Sequence, residues 1–310
     1  MISPQDVPAS HLERLWRIAR MAGEAFVDDN AWSRGASIAY FTLFSIAPVL
    51  LVVIAVAGLV FGRDAAQGAV VEQLSGLMGE KAAAALQEMV RIADNRLHGV
   101  WATLIGLVGI LLAVTGVFSQ VQSSLNVIWQ AEGRRKSGLS RLLRARLASL
   151  GLVAALGFVL IVSLATSAAL AAMTGYVRAR FPALEAVLGV VDIVLSIGLT
   201  TALFAAMYKV LPDVPIAWHE VLLGAVITTA MFEGGKYLIA LYIGHSAIAS
   251  SFGAAGAPVV MLLWIFYSAQ IFLLGAEITW AWAQVTRAHR AAVAEAPHVD
   301  SPSDSSRTES

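Results

Sequence analysis

Glu233 and Lys236 lie three residues apart inside an apolar run, LLGAVITTAMFEGGKYLIALYI, that is long enough to cross a bilayer. A second such run, VVMLLWIFYSAQIFLLGAEITWAW, carries Gln270 and Glu277. A charge at the bilayer centre costs roughly 2.5–3.5 kcal/mol on insertion scales, so groups of this kind pair with one another or line a polar path. The i, i+3 spacing sets Glu233 and Lys236 on one helix face, where each neutralises the other. Two roles fit. The pair is an internal lock between helices, or it is the wall of a solute pathway in which Glu233 binds a cation or a proton and Lys236 tunes its charge. Tyr237, four residues after Glu233, is the third member of this face. Gly234 and Gly235 let a neighbouring helix or a solute reach the backbone. Trp264 and Tyr267 on the following run offer ring faces suited to a zwitterionic or quaternary-ammonium solute such as an osmolyte.

Helical rise, about 1.5 Å per residue, gives the depth of these groups. Glu233, Lys236 and Gln270 share one level near mid-span, which makes a candidate substrate or ion site. Glu277 falls about 10 Å nearer the cytoplasm by the same rise. Tyr40, Gln120, Gln122 and Tyr208 fall in that inner half as well, and with Glu277 they make a candidate inner vestibule or gate. Pro48 lies in the first apolar run after Ser45; it removes a backbone hydrogen bond and marks a kink. The stretch 244–257 holds no Lys, Arg, Asp or Glu. It is either a tight outer loop or a re-entrant segment of the sort transporters build around a site.

The elements that must hold these residues follow from composition. The chain is 310 residues long, 58% hydrophobic and only 14% charged. Its mean hydropathy is +0.74. A span needs about 20 largely apolar residues. Six segments qualify: 38–62, 100–127, 147–173, 187–208, 221–243 and 258–282. The fold class is therefore all-α, a polytopic membrane protein with six transmembrane helices. Residues 1–37 form a cytoplasmic segment whose amphipathic helix, 11–34, suits the headgroup layer. Residues 38–285 form the membrane domain, with the outer loop 63–99 carrying two short amphipathic helices. Residues 286–310 are Ser-, Pro- and Asp-rich towards their end and read as a disordered cytoplasmic tail.

Six spans with both termini inside place fourteen of the 21 Lys and Arg on the cytoplasmic side and six outside, with Lys236 inside span five. That asymmetry is what the positive-inside rule demands, so both termini are expected in the cytoplasm of a bacterial inner-membrane protein. The most basic stretch, EGRRKSGLSRLLRAR, follows span two and reads as a topological signal.

The balance of 21 basic and 21 acidic residues argues against nucleic acid as a partner. There is no cysteine, hence no disulfide and no thiolate chemistry. No phosphate-binding loop, HExxH or ordered Ser-His-Asp set is present, and the six histidines are scattered. No catalytic residue, metal site or cofactor is assigned, and the chain reads as a non-enzyme. The expected partners are the lipid bilayer and a small polar solute, with a homo-oligomer left open.

RGASIAYFTLFSIAPVLL, LPDVPIAWHEVLLGAVITTAMFEGGKYLIALYI and YSAQIFLLGAEITWAW together resemble the YihY/BrkB family of bacterial inner-membrane proteins, over about residues 30–285. The resemblance implies a six-span fold, and Tyr40, Ser45, Pro48, Pro212, Glu233, Tyr267, Gly275 and Glu277 fall on its motif positions. Some members carry the label ribonuclease BN and others are linked to serum resistance. An even charge balance offers no RNA-binding face, and no acid/base or metal cluster is available for phosphodiester cleavage. The readings left by the residues are a passive or ion-coupled transporter or channel, a scaffold for envelope components that uses the 63–99 helices, and, behind both, a membrane-bound enzyme.

Overall fold

In the computed structural model every described element is an α-helix. The described residues are 11–78, 83–84, 86–88, 91, 115–131, 182–245 and 256–295. The helices are α1 (His11–Asp28), α2 (Ala31–Phe61), α3 (Arg63–Met78), α4 (115–128), α5 (Pro182–Val210), α6 (Trp218–His245) and α7 (Gly256–Glu295). The expected third span, the first part of the second, the basic stretch after it, residues 246–255 of the charge-free linker and the tail beyond Glu295 lie outside the described residues.

Three of these helices are long and apolar enough to cross a membrane, at Gly189–Val210, Trp218–Ile239 and Pro258–Ala288. α5 shows why water is the wrong solvent for them. Val190, Ile193, Val194 and Ile197 all stand exposed along it. A contiguous apolar face of that kind is stable against lipid and costly against water.

α7 is the axis of the fold, with α1, α2 and α6 all packed on it and α5 packed on α6. α6 and α7 are antiparallel and interlocked at two points. Thr279 of α7 sits over Gly224 of α6, and Thr228 of α6 sits over Gly275 of α7. A Cβ placed on Gly224 would meet the Thr279 Oγ1 at 1.8 Å, and one on Gly275 would meet the Thr228 Oγ1 at 1.9 Å. Each threonine hydroxyl is satisfied on its own helix. Thr228 donates to the Gly224 carbonyl at 2.8 Å and Thr279 to that of Gly275 at 2.6 Å. Small residues set four apart are what lets two backbones approach in a membrane, where apolar burial supplies no driving force between helices. Tyr208 of α5 completes the junction. It is buried, its hydroxyl donates to the Phe272 carbonyl at 2.7 Å and lies 2.9 Å from the Thr228 hydroxyl.

One end of the bundle is tied by polar groups. Leu211–Ala217, with Pro212 and Pro215, cannot extend either helix, since each proline lacks an N–H. Asp213 in this turn accepts from Asn126 Nδ2 at 2.8 Å and from Gln122 Nε2 at 3.3 Å, while its N–H donates to Asn126 Oδ1 at 2.8 Å. Glu220, buried at the start of α6, accepts both nitrogens of Arg287 from the end of α7 at 3.1 and 3.3 Å. Arg14 of α1 donates to Thr286 at 2.9 Å and lies over the Trp282 ring. The start of α1 and the end of α7 therefore share one end of the molecule.

The helix expected over 11–34 is two helices. α1 stops at Asp28, and Asn30 adopts φ 53°, the left-handed conformation that asparagine tolerates better than most residues. α1 buries Ile18 and Ala22 against Ala281 and Val285 and leaves Leu12, Leu15 and Trp16 exposed. The last helix continues to Glu295, ten residues into the stretch read as tail. From the 63–99 loop, Val70, Ala83 and Leu86 are buried in one cluster with Ile54, Ile239 and Met261, so this loop packs onto the helices. Its Glu88 and Arg91 form an exposed pair at 2.6 Å.

Candidate functional site

The Thr–Gly register of α6 on α7 brings position 233 level with position 270, as rise along the helices predicts. It does not bring the two side chains together. Successive residues on a helix are about 100° apart, so one level holds several directions. Ile271 and Tyr267 face α6 and press on Gly235. Gln270 turns instead towards α2, where its Nε2 donates to the Trp32 carbonyl at 3.3 Å and crowds Gly35. α2 begins at Ala31, and its first turn already packs on Gln270.

Five of the six residues of the expected substrate site do gather at the crossing of α6 and α7. Glu233 and Lys236 form a salt bridge, with side chains 22% and 17% exposed. Lys236 also lies 5.6 Å from the centre of the Tyr237 ring, which is itself 71% exposed. Tyr267 reaches Gly235, and Trp264 meets Phe232 edge-on at 6.1 Å. Two atoms at this crossing are buried without a partner: the Glu233 Oε1, an acceptor, and the Trp264 Nε1, a donor. Buried polar atoms are nearly always paired, which makes this acceptor and this donor exceptions within the crossing.

The five residues read as an inner vestibule do not meet. Tyr40 is 57% exposed and stacks edge-on with Phe41 and Phe44. The Gln120 carbonyl accepts from Ser124 within its own helix. Gln122 is engaged by Asp213, and Tyr208 is sealed in the α5–α6–α7 junction. α2 runs as one helix through Pro48, and Ser45 donates to Thr42 at 3.2 Å, not to the carbonyl that the proline frees.

Glu277 stands apart from all of these. It is 0% exposed, and neither carboxyl oxygen has a hydrogen-bond donor. The charged groups that face it are Asp29 and Arg34, on either side of the break between α1 and α2. Arg34 is held there by its Nε, which donates to the Asp29 carbonyl at 2.7 Å. Sequence reasoning passed over both residues because it drew one helix across them. The signal was Asp28-Asp29-Asn30, a run of helix-ending and helix-capping types just before the apolar stretch. The break should tolerate Asn30→Gly and resist Asn30→Val. The valine variant is expected to lose about 1–2 kcal/mol, the cost of a left-handed residue with a branched Cβ, as a lower melting temperature in detergent.

Comparison with known proteins gives a family and a set of membrane-protein relatives. A family model described as "Virulence factor BrkB" matches residues 22–299. Among curated proteins, a UPF0761 membrane protein of Alcanivorax borkumensis is 30% identical over 263 residues, covering 82% of this chain and 57% of that protein. One of Pseudomonas aeruginosa is 26% identical over 277 residues, covering 84% and 61%. One of Photobacterium profundum is 27% identical over 262 residues, covering 81% and 76%. The chain thus spans 57% and 61% of the length of the first two relatives. No solved structure matches it.

Proposed function

The chain belongs to the YihY/BrkB family of membrane proteins, and from that premise we propose that it passes a small polar solute across the bacterial inner membrane. The observation that carries this reading is the orphan pair at the α6–α7 crossing, Glu233 Oε1 and Trp264 Nε1. Glu233 would take the cationic part of a zwitterionic solute, with Lys236 offsetting its charge when the solute leaves. Trp264 would donate to the solute's anionic or carbonyl end, and Tyr267 would supply a ring face. Nothing in the sequence resembles a nucleotide site, so transport is passive or ion-coupled. Six spans with both termini cytoplasmic complete the proposal; the contact of Arg14 with Thr286 supports placing both ends on one side.

The test is flux in proteoliposomes loaded with candidate osmolytes. Wild type should move at least one zwitterionic solute. Glu233→Gln and Trp264→Phe should each reduce that flux about tenfold, the loss of one charged or one well-placed hydrogen bond, or roughly 1.4 kcal/mol. Absence of flux for every solute would remove the reading. The closed Glu233–Lys236 salt bridge favours a second one, a non-transporting scaffold in which the pair only holds α6 in place. A stoichiometric partner lost on deleting 64–97, with flux absent, would establish it.

A further inference from the structure

We infer that Asp29 and Glu277 hold a single proton between them, and that this acid pair is the ion-coupling site of the protein. The inference rests on the transport reading for its role, and on donor counting for its chemistry. An ionised carboxylate only accepts hydrogen bonds. Glu277 is fully enclosed, and among the described residues no N–H or O–H reaches either of its oxygens. Its neighbour within hydrogen-bonding reach is the Asp29 carboxyl. Two ionised carboxylates in contact place two like charges together with no proton between them. One proton changes that arithmetic: it makes an O–H···O bond from one acid to the other and removes one of two like charges from a dry site, the arrangement that paired carboxyl groups adopt elsewhere.

The charged groups around Glu277 leave the proton as the natural ligand. From the α1–α2 turn comes Asp29, and from α2 comes Arg34. Among the described residues, α1 and α6 present no charge to Glu277. With one proton, the set of Asp29, Glu277 and Arg34 is neutral. No group of three or more His, Cys, Asp or Glu that could hold a metal ion is present among the described residues. A metal cation also needs several oxygen ligands in a shell, which two carboxyl groups do not provide.

The position gives the proton something to do. α1 follows α7 from Thr286 back past Ala281, and α2 follows it onward from Gln270 to Met261. The two behave as one broken helix alongside α7, and the break lies opposite Glu277. Discontinuous helices of this kind form ion and substrate sites in transporters. When the proton departs, two negative charges face each other across the break, and the turn carrying Asp29 parts from α7. When it returns, the break closes. Nothing moves on α6, so solute at the Glu233 crossing and proton at the break stay separate sites joined through α7.

Infrared difference spectroscopy of the full chain in nanodiscs reads the proton directly. Wild type at neutral pH should show the C=O stretch of a buried protonated carboxylic acid, sensitive to deuteration. Glu277→Gln should abolish it, and so should Asp29→Asn, because the new amide donates to Glu277 and leaves that acid ionised. Asp29 lies at a helix break, so its variant stays informative where Glu277→Gln fails to fold. No such band in wild type would overturn the inference. A band that survives Asp29→Asn would overturn it too, by placing the proton on Glu277 alone. The transport arm is separate. A pH gradient should drive solute accumulation in wild-type proteoliposomes, and Asp29→Asn should lose that accumulation. Accumulation retained by Asp29→Asn would overturn the coupling role. No downhill flux for wild type would defeat the transport reading, while the infrared band still decides the acid pair.

Discussion

Gly275→Ala should destabilise the folded protein by about 3 kcal/mol, although the same change in an open helix is favourable. Glycine costs a helix interior about 1 kcal/mol relative to alanine, so propensity alone predicts a gain. Packing overrides it. The new methyl would lie 1.9 Å from the Thr228 Oγ1, 2.7 Å from the Tyr208 hydroxyl and 2.9 Å from the Thr228 Cβ. The last of these is part of a side chain anchored to the α6 backbone, so α6 and α7 must part. Overpacking of this sort costs about 1–3 kcal/mol, occasionally more. Separation also stretches the bonds of Tyr208 to Thr228 and to Phe272, each worth about 1 kcal/mol. Thermal unfolding in detergent measures the sum. Thr228→Gly in the same chain removes both Thr228 atoms that the new methyl meets and should recover part of the loss. Gly198→Ala on α5, where a Cβ meets nothing within 4 Å, should be neutral or stabilising. A Gly275→Ala protein as stable as wild type would show that α6 and α7 are not interlocked here.

Lys236→Met should cost about 2–3 kcal/mol by leaving Glu233 without its counter-charge inside a spanning helix. The lower end applies because both side chains keep some exposure. Adding Glu233→Gln removes the remaining charge, and the double variant should return to within about 1 kcal/mol of wild type. That stable, uncharged protein separates the two readings of the pair. If Glu233 handles solute, the double variant folds and loses flux at least as far as Glu233→Gln alone. If the pair is a lock, it folds and keeps whatever function the wild type has.

Much of this was legible before any coordinates. Run length and apolar content identified α5, α6 and α7 as spans, and rise per residue put Glu233 and Gln270 at one level. Direction around each helix was not legible. One step along α7, from Gln270 to Ile271, turns a side chain from α2 to α6, and an apolar helix buried on several sides carries no polar face to tell the two apart. That is why the sequence groups Gln270 with Glu233, and groups Tyr40, Gln120, Gln122, Tyr208 and Glu277 as a vestibule although they do not meet. The break at Asp29–Asn30 was hidden for a different reason. The helical stripe of α1 runs smoothly into α2, and periodicity cannot see a single left-handed residue. Gly224 and Gly275 were visible only as small residues; their value lies in the threonines across from them.

The paired glycines and threonines have a mechanical meaning. Each threonine is a tooth in a slot on the opposite helix, and one turn of either helix is about 5.4 Å along the axis. α6 and α7 therefore cannot creep past each other by small steps; they move as one beam or not at all. A carrier built this way has a fixed keel, and whatever rocks against it must come from elsewhere: the jointed arm of α1 and α2 along one side, or α5 along the other.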